Sequence, residues 1–144
     1  MSNADTAKYI KTNIRSILTA LGWKIDDLST IKSDMSGYDG SHPACMLILT
    51  GEDFEENYGE APLYNELSFT IAFAFKYDDQ DSANTKAIDF AHALRDGIKT
   101  STLNVAGLAT TQYVSNVDHA GYIPDYQAPA CVVNYRLIVR YREV

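Results

Sequence analysis

The chain is short of cysteine, proline and positive charge, and it has no long apolar run. Its 144 residues include 2 cysteines, 4 prolines and a single tryptophan. Two cysteines cannot build a framework of bridges, and they suit a reducing compartment. Cys45 and Cys131 each open an apolar run, so a pair of buried thiols and one disulfide between neighbouring strands are both open readings. No stretch reaches the roughly eighteen apolar residues of a membrane span, and the N-terminus lacks the apolar core of a signal peptide. A membrane partner is therefore not expected. Lys and Arg total 12 against 19 Asp and Glu, a net charge of −7. That balance argues against broad, sequence-independent binding of nucleic acid and leaves room for one local basic patch.

What is present is ordinary for a folded domain: 46% apolar and 22% charged residues. A chain of this size buries about two-thirds of its surface on folding, so its core needs neither disulfide nor metal. No internal repeat, low-complexity tract or linker interrupts it, which predicts one domain over residues 1–144.

The apolar periodicity outlines the elements. Ala7, Ile10, Ile14, Ile17, Leu18 and Leu21 recur at helical steps, with Asp5 or Thr6 as cap, Gly22 as the left-handed stop and Lys8, Lys11 and Arg15 off the stripe. Trp23 to Met35 reads as a short extended piece, and residues 36–41 as turn chemistry. Pro43 leads into an apolar strand from Ala44 to Leu49, bounded by Gly51. Residues 51–62 read as an acidic loop carrying Glu52, Asp53, Glu55, Glu56 and Glu60 with Phe54 and Tyr58.

The clearest strand follows. Leu67, Phe69, Ile71, Phe73, Phe75 and Tyr77 alternate with Ser68, Thr70, Ala72, Ala74 and Lys76. Its small face suits either solvent or the close approach of a helix or another subunit. A second helix is capped by Asp81 or Ser82, with Ala83, Ala87, Ile88, Ala91, Leu94, Arg95 and Ile98 on its stripe and Phe90 beside it. A strand over 103–117, a loop over 118–129 and a final strand from Ala130 to Tyr141 complete the order. Strands joined by tight turns or by one helix favour an α+β fold, a mostly antiparallel sheet with both amphipathic helices packed on one face.

Catalytic and metal chemistry find little purchase. His42, His92 and His119 are far apart and have no Cys or carboxylate at ligand spacing. Asp34, Asp39 and Asp53 do not match a calcium loop, and neither a nucleophile elbow nor a phosphate loop occurs. No enzyme activity, metal or cofactor is expected. Two features point instead to binding. Tyr58, Tyr122 and Tyr126 fall on expected loops, where they either form an interface or pack over the ends of their own sheet. Arg136, Arg140 and Arg142 share one face of the last strand. That row could meet DNA phosphates or the acidic loop of a neighbouring copy, or simply face solvent.

The layout resembles that of phage tail-terminator proteins, the tail-completion or minor tail proteins of long-tailed bacteriophages and prophages. The resemblance lies in the order of parts: the helix of residues 6–21, the Pro-led strand His42-Pro43-Ala44-Cys45-Met46-Leu47-Ile48-Leu49, the alternating strand 64–77, the helix 82–98, and the closing strands 103–117 and 128–142. It implies a homo-oligomeric ring, commonly a hexamer, that caps the tail tube and joins the head–tail junction. The implied partners are further copies of the chain, the tail tube protein, the head–tail connector proteins, and DNA passing through the ring without sequence-specific contacts. The implied location is the bacterial host cytoplasm during assembly and then the virion tail. Candidate interface residues are Glu52, Asp53, Phe54, Glu55, Glu56, Tyr58, Tyr122, Tyr126, Arg136, Arg140 and Arg142, with the acidic residues of one copy facing Arg136 and Arg140 of the next. Another head–tail neck protein is the nearest alternative, and a small cytosolic ligand-binding domain or enzyme the next.

Overall fold

The computed structural model describes residues 2–22, 24–25, 44–55, 63–104, 113–127 and 129–143. Helix α1 spans Asn3–Ala20. Ser2, rather than Asp5 or Thr6, is its N-cap: the Ser2 hydroxyl accepts from the Asp5 amide, and the Asp5 carboxylate reaches back to Ser2. This reciprocal box satisfies two amides that a helix start leaves without partners. The Ser2 hydroxyl also holds the Asp5 carboxyl below its ordinary range. Gly22 lies at φ +87°, the left-handed stop expected of it. Thr6, Ile10, Ile14 and Leu18 form the buried stripe. Each of the three aliphatics contributes about 1.5–3 kcal/mol by leaving water.

Strand β1, Lys24–Ile25, runs parallel to β2, Ala44–Phe54. Strand β3, Tyr64–Lys76, pairs antiparallel with β2 on one side and with β5, Ala130–Arg142, on the other. Strand β4, Val114–Gln127, pairs antiparallel with β5, giving the order β1-β2-β3-β5-β4. Helix α2 spans Gln80–Gly97, and a short α3 covers Thr100–Leu103. Asp79 caps α2 by accepting from the Ser82 amide at 2.8 Å, which displaces the expected cap by two residues.

The alternation of β3 sets the layering. Leu67, Phe69, Ile71, Phe73 and Phe75 share one core with the stripes of α1 and α2 and with Cys131, Val133, Tyr135, Leu137, Val139 and Tyr141 of β5. Phe73 stacks on Phe90 with ring centroids 4.4 Å apart, which seats α2 on the sheet. Both helices thus cover one face, as the pattern predicts. Phe90, expected beside the α2 stripe, is buried, whereas Ile88 is 49% exposed and Arg95 exposed. Cys45 and Cys131 are buried thiols outside any disulfide, on strands that flank β3 opposite Phe73 and Phe75. On the other face Ala44, Met46, Ala72, Ala74 and Val132 form a second, smaller buried cluster. The small side of β3 is therefore closed at Ala72 and Ala74, and exposure remains from Glu66 to Thr70 and at Lys76.

Two expected loops are strands. Gly51, Glu52, Asp53 and Phe54 continue β2 past a bulge after Leu49 and pair with Ser68, Leu67, Glu66 and Asn65. Asp118 to Gln127 continue β4, with a bulge between His119 and Gly121, where Gly121 takes φ +114°. Pro124 is tolerated because β4 is the outermost strand and its missing amide breaks no interior ladder. The expected strand start at Leu103 is helical instead, and Gly107, its expected bend, lies outside the described residues.

Candidate functional site

A group of charged side chains gathers at one end of the sheet face turned away from α1 and α2. Cross-strand register places Glu66 between Asp53 of β2 and Arg140 of β5. These three, with Phe54, Glu55 and Tyr64, line a shallow cleft of about 220 Å³. Arg140 lies over the Tyr64 ring, 4.3 Å from its centroid, and Arg142 lies 6.0 Å from that of Tyr113. A guanidinium over an aromatic face gains about 0.5–1 kcal/mol at such exposed sites. The two phenol oxygens are 3.4 Å apart, and that bond raises the Tyr64 pKa. Glu55 accepts from the Tyr64 amide at 2.7 Å, which fixes the cleft's rim. Arg136 stands further along the same face, opposite Thr70, and is exposed.

Of the acids and arginines expected to meet across two copies, Asp53 and Arg140 stand on either side of Glu66 within one chain. Glu52 stands apart from this group. It belongs to the helix-covered face, where it accepts from the Tyr141 hydroxyl at 2.9 Å. The Asn65 amide meets that hydroxyl at 3.2 Å. Burial pushes the Tyr141 phenol up to about 12. Glu56 and Tyr58 lie outside the described residues.

Tyr122 and Tyr126 are strand residues, not loop residues. They stand opposite Tyr135 and Cys131 and pack, partly buried, against the helix-side core. The Tyr126 hydroxyl donates to Asn84 of α2, and its ring meets Tyr77 edge-on at 6.0 Å. Packing over their own sheet, one of the two readings of these tyrosines, is present within the single chain.

His92 and His119, unrelated in the sequence, line one cleft of about 140 Å³ between α2 and β4, together with Arg95, Tyr122 and Tyr135. The His119 Nε2–H donates to the Ile98 carbonyl at 3.1 Å, leaving Nδ1 to accept from the Tyr135 hydroxyl. Burial, aided by the Arg95 charge, lowers the His119 pKa. No single-sequence signal marks this pairing, because it depends on the bulge after His119. His42 lies outside the described residues. Among the described residues no three His, Cys, Asp or Glu gather as metal ligands, and no helix is long and apolar enough to cross a membrane.

Among solved structures the chain has a likeness of fold. A chain of the structure titled "Virion of native gene transfer agent (GTA) particle" superposes with a TM-score of 0.51, over 92% of this chain and 91% of that one, at 10% sequence identity. The likeness is one of fold. No protein-family description matches the chain. No curated protein sequence matches it either.

Proposed function

We propose that this chain is a structural subunit of a phage-type particle and, within it, a tail-terminator subunit whose ring caps the tail tube at the head–tail junction. The observation that carries the first part is the likeness of fold to a chain of a gene-transfer-agent virion, which extends over nine-tenths of both chains. The finer assignment rests on the order of elements, from the N-terminal helix α1 to the closing strands β4 and β5, that the tail-terminator family also displays. The role is one of assembly and requires no catalytic step. Its partners are other copies of the chain, the tube protein, the head–tail connector proteins and DNA in transit, met first in the host cytoplasm and then in the virion tail.

Co-expression with the tube protein of the same genome tests this reading. A terminator stops tube growth, and a gold-labelled tag on the chain then marks one end of tubes of uniform length in electron micrographs. Label on tail-less heads would assign the chain to the neck instead. Label along the tube wall, or tubes of unregulated length without bound label, would overturn the terminator role.

A further inference from the structure

The cleft between α2 and β4 is basic in a chain whose net charge is −7. Arg95 and the imidazoles of His92 and His119 line it, with no carboxylate among its described lining residues. His92 and Arg95 stand three residues apart on α2, which makes them neighbours on one side of that helix. Among the described residues no carboxylate pairs with Arg95. Burial, and after it the Arg95 charge, holds His119 below its ordinary range, so this imidazole is neutral at pH 7. The permanent charge of the cleft is then the one guanidinium.

His119 has no donor to spare, because its Nε2–H is taken by the Ile98 carbonyl and its Nδ1 accepts from the Tyr135 hydroxyl. The charged or ring donors left to an incoming group are the Arg95 guanidinium and the His92 imidazole. The remaining walls are apolar or aromatic: Ala91 and the rings of Tyr122 and Tyr135. Gly121, at φ +114°, leaves its part of the wall without a side chain. The volume of about 140 Å³ is well below the roughly 300–1,000 Å³ of sites for drug-sized ligands, so the occupant is a single small group.

We infer that this cleft binds one carboxylate on a short apolar stem, the carboxylate on the Arg95 guanidinium and the His92 ring, the stem against Ala91 and Tyr122. One negative charge matches one guanidinium, and the two planar groups pair through parallel N–H···O bonds. A phosphate group, at about −1.5 to −2 near pH 7, would keep part of its charge uncompensated beside a neutral imidazole. The stem belongs either to a free small acid or to a glutamate of another polypeptide, and the chemistry is shared. Around His119 stand Arg95 and His92 of α2, Asp118 and Tyr122 of β4 and Tyr135 of β5. A carboxylate on Arg95 offsets the charge that opposes protonation of His119. Binding therefore moves the His119 titration to higher pH and tightens as the pH falls from 7 towards 6. The inference does not rest on the ring reading above.

Butyrate is the probe, titrated into the full chain at pH 7 and pH 6 while the imidazole protons of His92 and His119 are followed by NMR. Butyramide, of the same shape and without charge, is the control. The expected result is a saturable shift at both histidines with butyrate alone, with a Kd on the order of 1 mM that falls at pH 6. Arg95→Gln weakens the binding by about tenfold or more. Should that variant fold poorly by circular dichroism, Arg95→Lys, which keeps the charge and loses the planar fork, must weaken it in the same direction. Raising the protein concentration separates the two sources. If the ligand is a side chain of another copy, His119 moves towards its butyrate-bound position as the chain is concentrated, and butyrate lowers the mass seen by light scattering. If it is a free acid, the histidine signals do not depend on protein concentration. No response to butyrate, an equal response to butyramide, or an unchanged response in Arg95→Gln overturns the site. A chain that is monomeric at every concentration yet responds to butyrate contradicts the ring reading and leaves this site standing.

Discussion

His119 joins the edge strand to the rest of the fold, and replacing it with Leu measures what that joint contributes. Its Nε2–H donates to the Ile98 carbonyl, and its Nδ1 accepts from the Tyr135 hydroxyl. Ile98 and Tyr135 are 0% and 2% exposed, so His119→Leu leaves a carbonyl and a hydroxyl with little access to replacement water. Such a loss costs about 1–3 kcal/mol, or a Tm lower by about 4–10 °C in a domain of this size. Tyr135→Phe alone strands only the imidazole nitrogen, and it strands nothing further once His119 is gone. The double variant should therefore lose less than the sum of the two single losses.

The same site sets an acid limb. Burial lowers the folded-state pKa of His119 below 6.5, so the unfolded chain takes up the proton first. Stability is full above about pH 6.5 and declines as the pH falls through the folded-state value. His119→Leu removes that portion of the decline. Urea unfolding at pH 7.5 and at pH 5 is the assay. Additive losses at pH 7.5, or an unchanged acid slope in His119→Leu, would refute the assigned tautomer and the joint it makes.

Other substitutions probe the rest of the fold. Burial raises the phenols of Tyr135 and Tyr141 to about 12, so stability is full below pH 10 and is lost as the pH climbs through 12. Tyr141→Phe should flatten that alkaline loss while costing about 1–2 kcal/mol at pH 7, where Asn65 and Glu52 lose the hydroxyl between them. Gly22→Ala should cost about 1 kcal/mol, because φ is +87° although nothing lies within 4 Å of the new methyl. Gly97→Ala should be close to neutral, since the flexible tip of Leu21 yields at 3.3 Å while helix propensity gains about 1 kcal/mol. Thermal melts of this glycine pair separate backbone strain from packing.

The parts legible in the sequence are those whose own pattern decides their structure. The alternation from Leu67 to Tyr77 and from Cys131 to Tyr141 gave both central strands almost to the residue, and the stripe of α1 gave its buried face. The parts that were not legible depend on a partner. Glu52 and Asp53 read as loop because they are acidic and follow Gly51, yet they are held extended by the start of β3. Asp118 to Gln127 read as loop because of Gly121, Pro124 and their polar residues, all of which a half-exposed edge strand tolerates once a bulge restores register. That misreading also left Tyr122 and Tyr126 assigned to loops. The arginine row was correctly placed on one face of the last strand, but Glu66 as the neighbour of Arg140 follows only from strand pairing.

Solution mass tests the central claim most directly. The chain is measured by light scattering in dilute and near-millimolar protein, first in low salt and then in high salt. A closed species of defined copy number is the predicted result. A strict monomer across the whole range would contradict it.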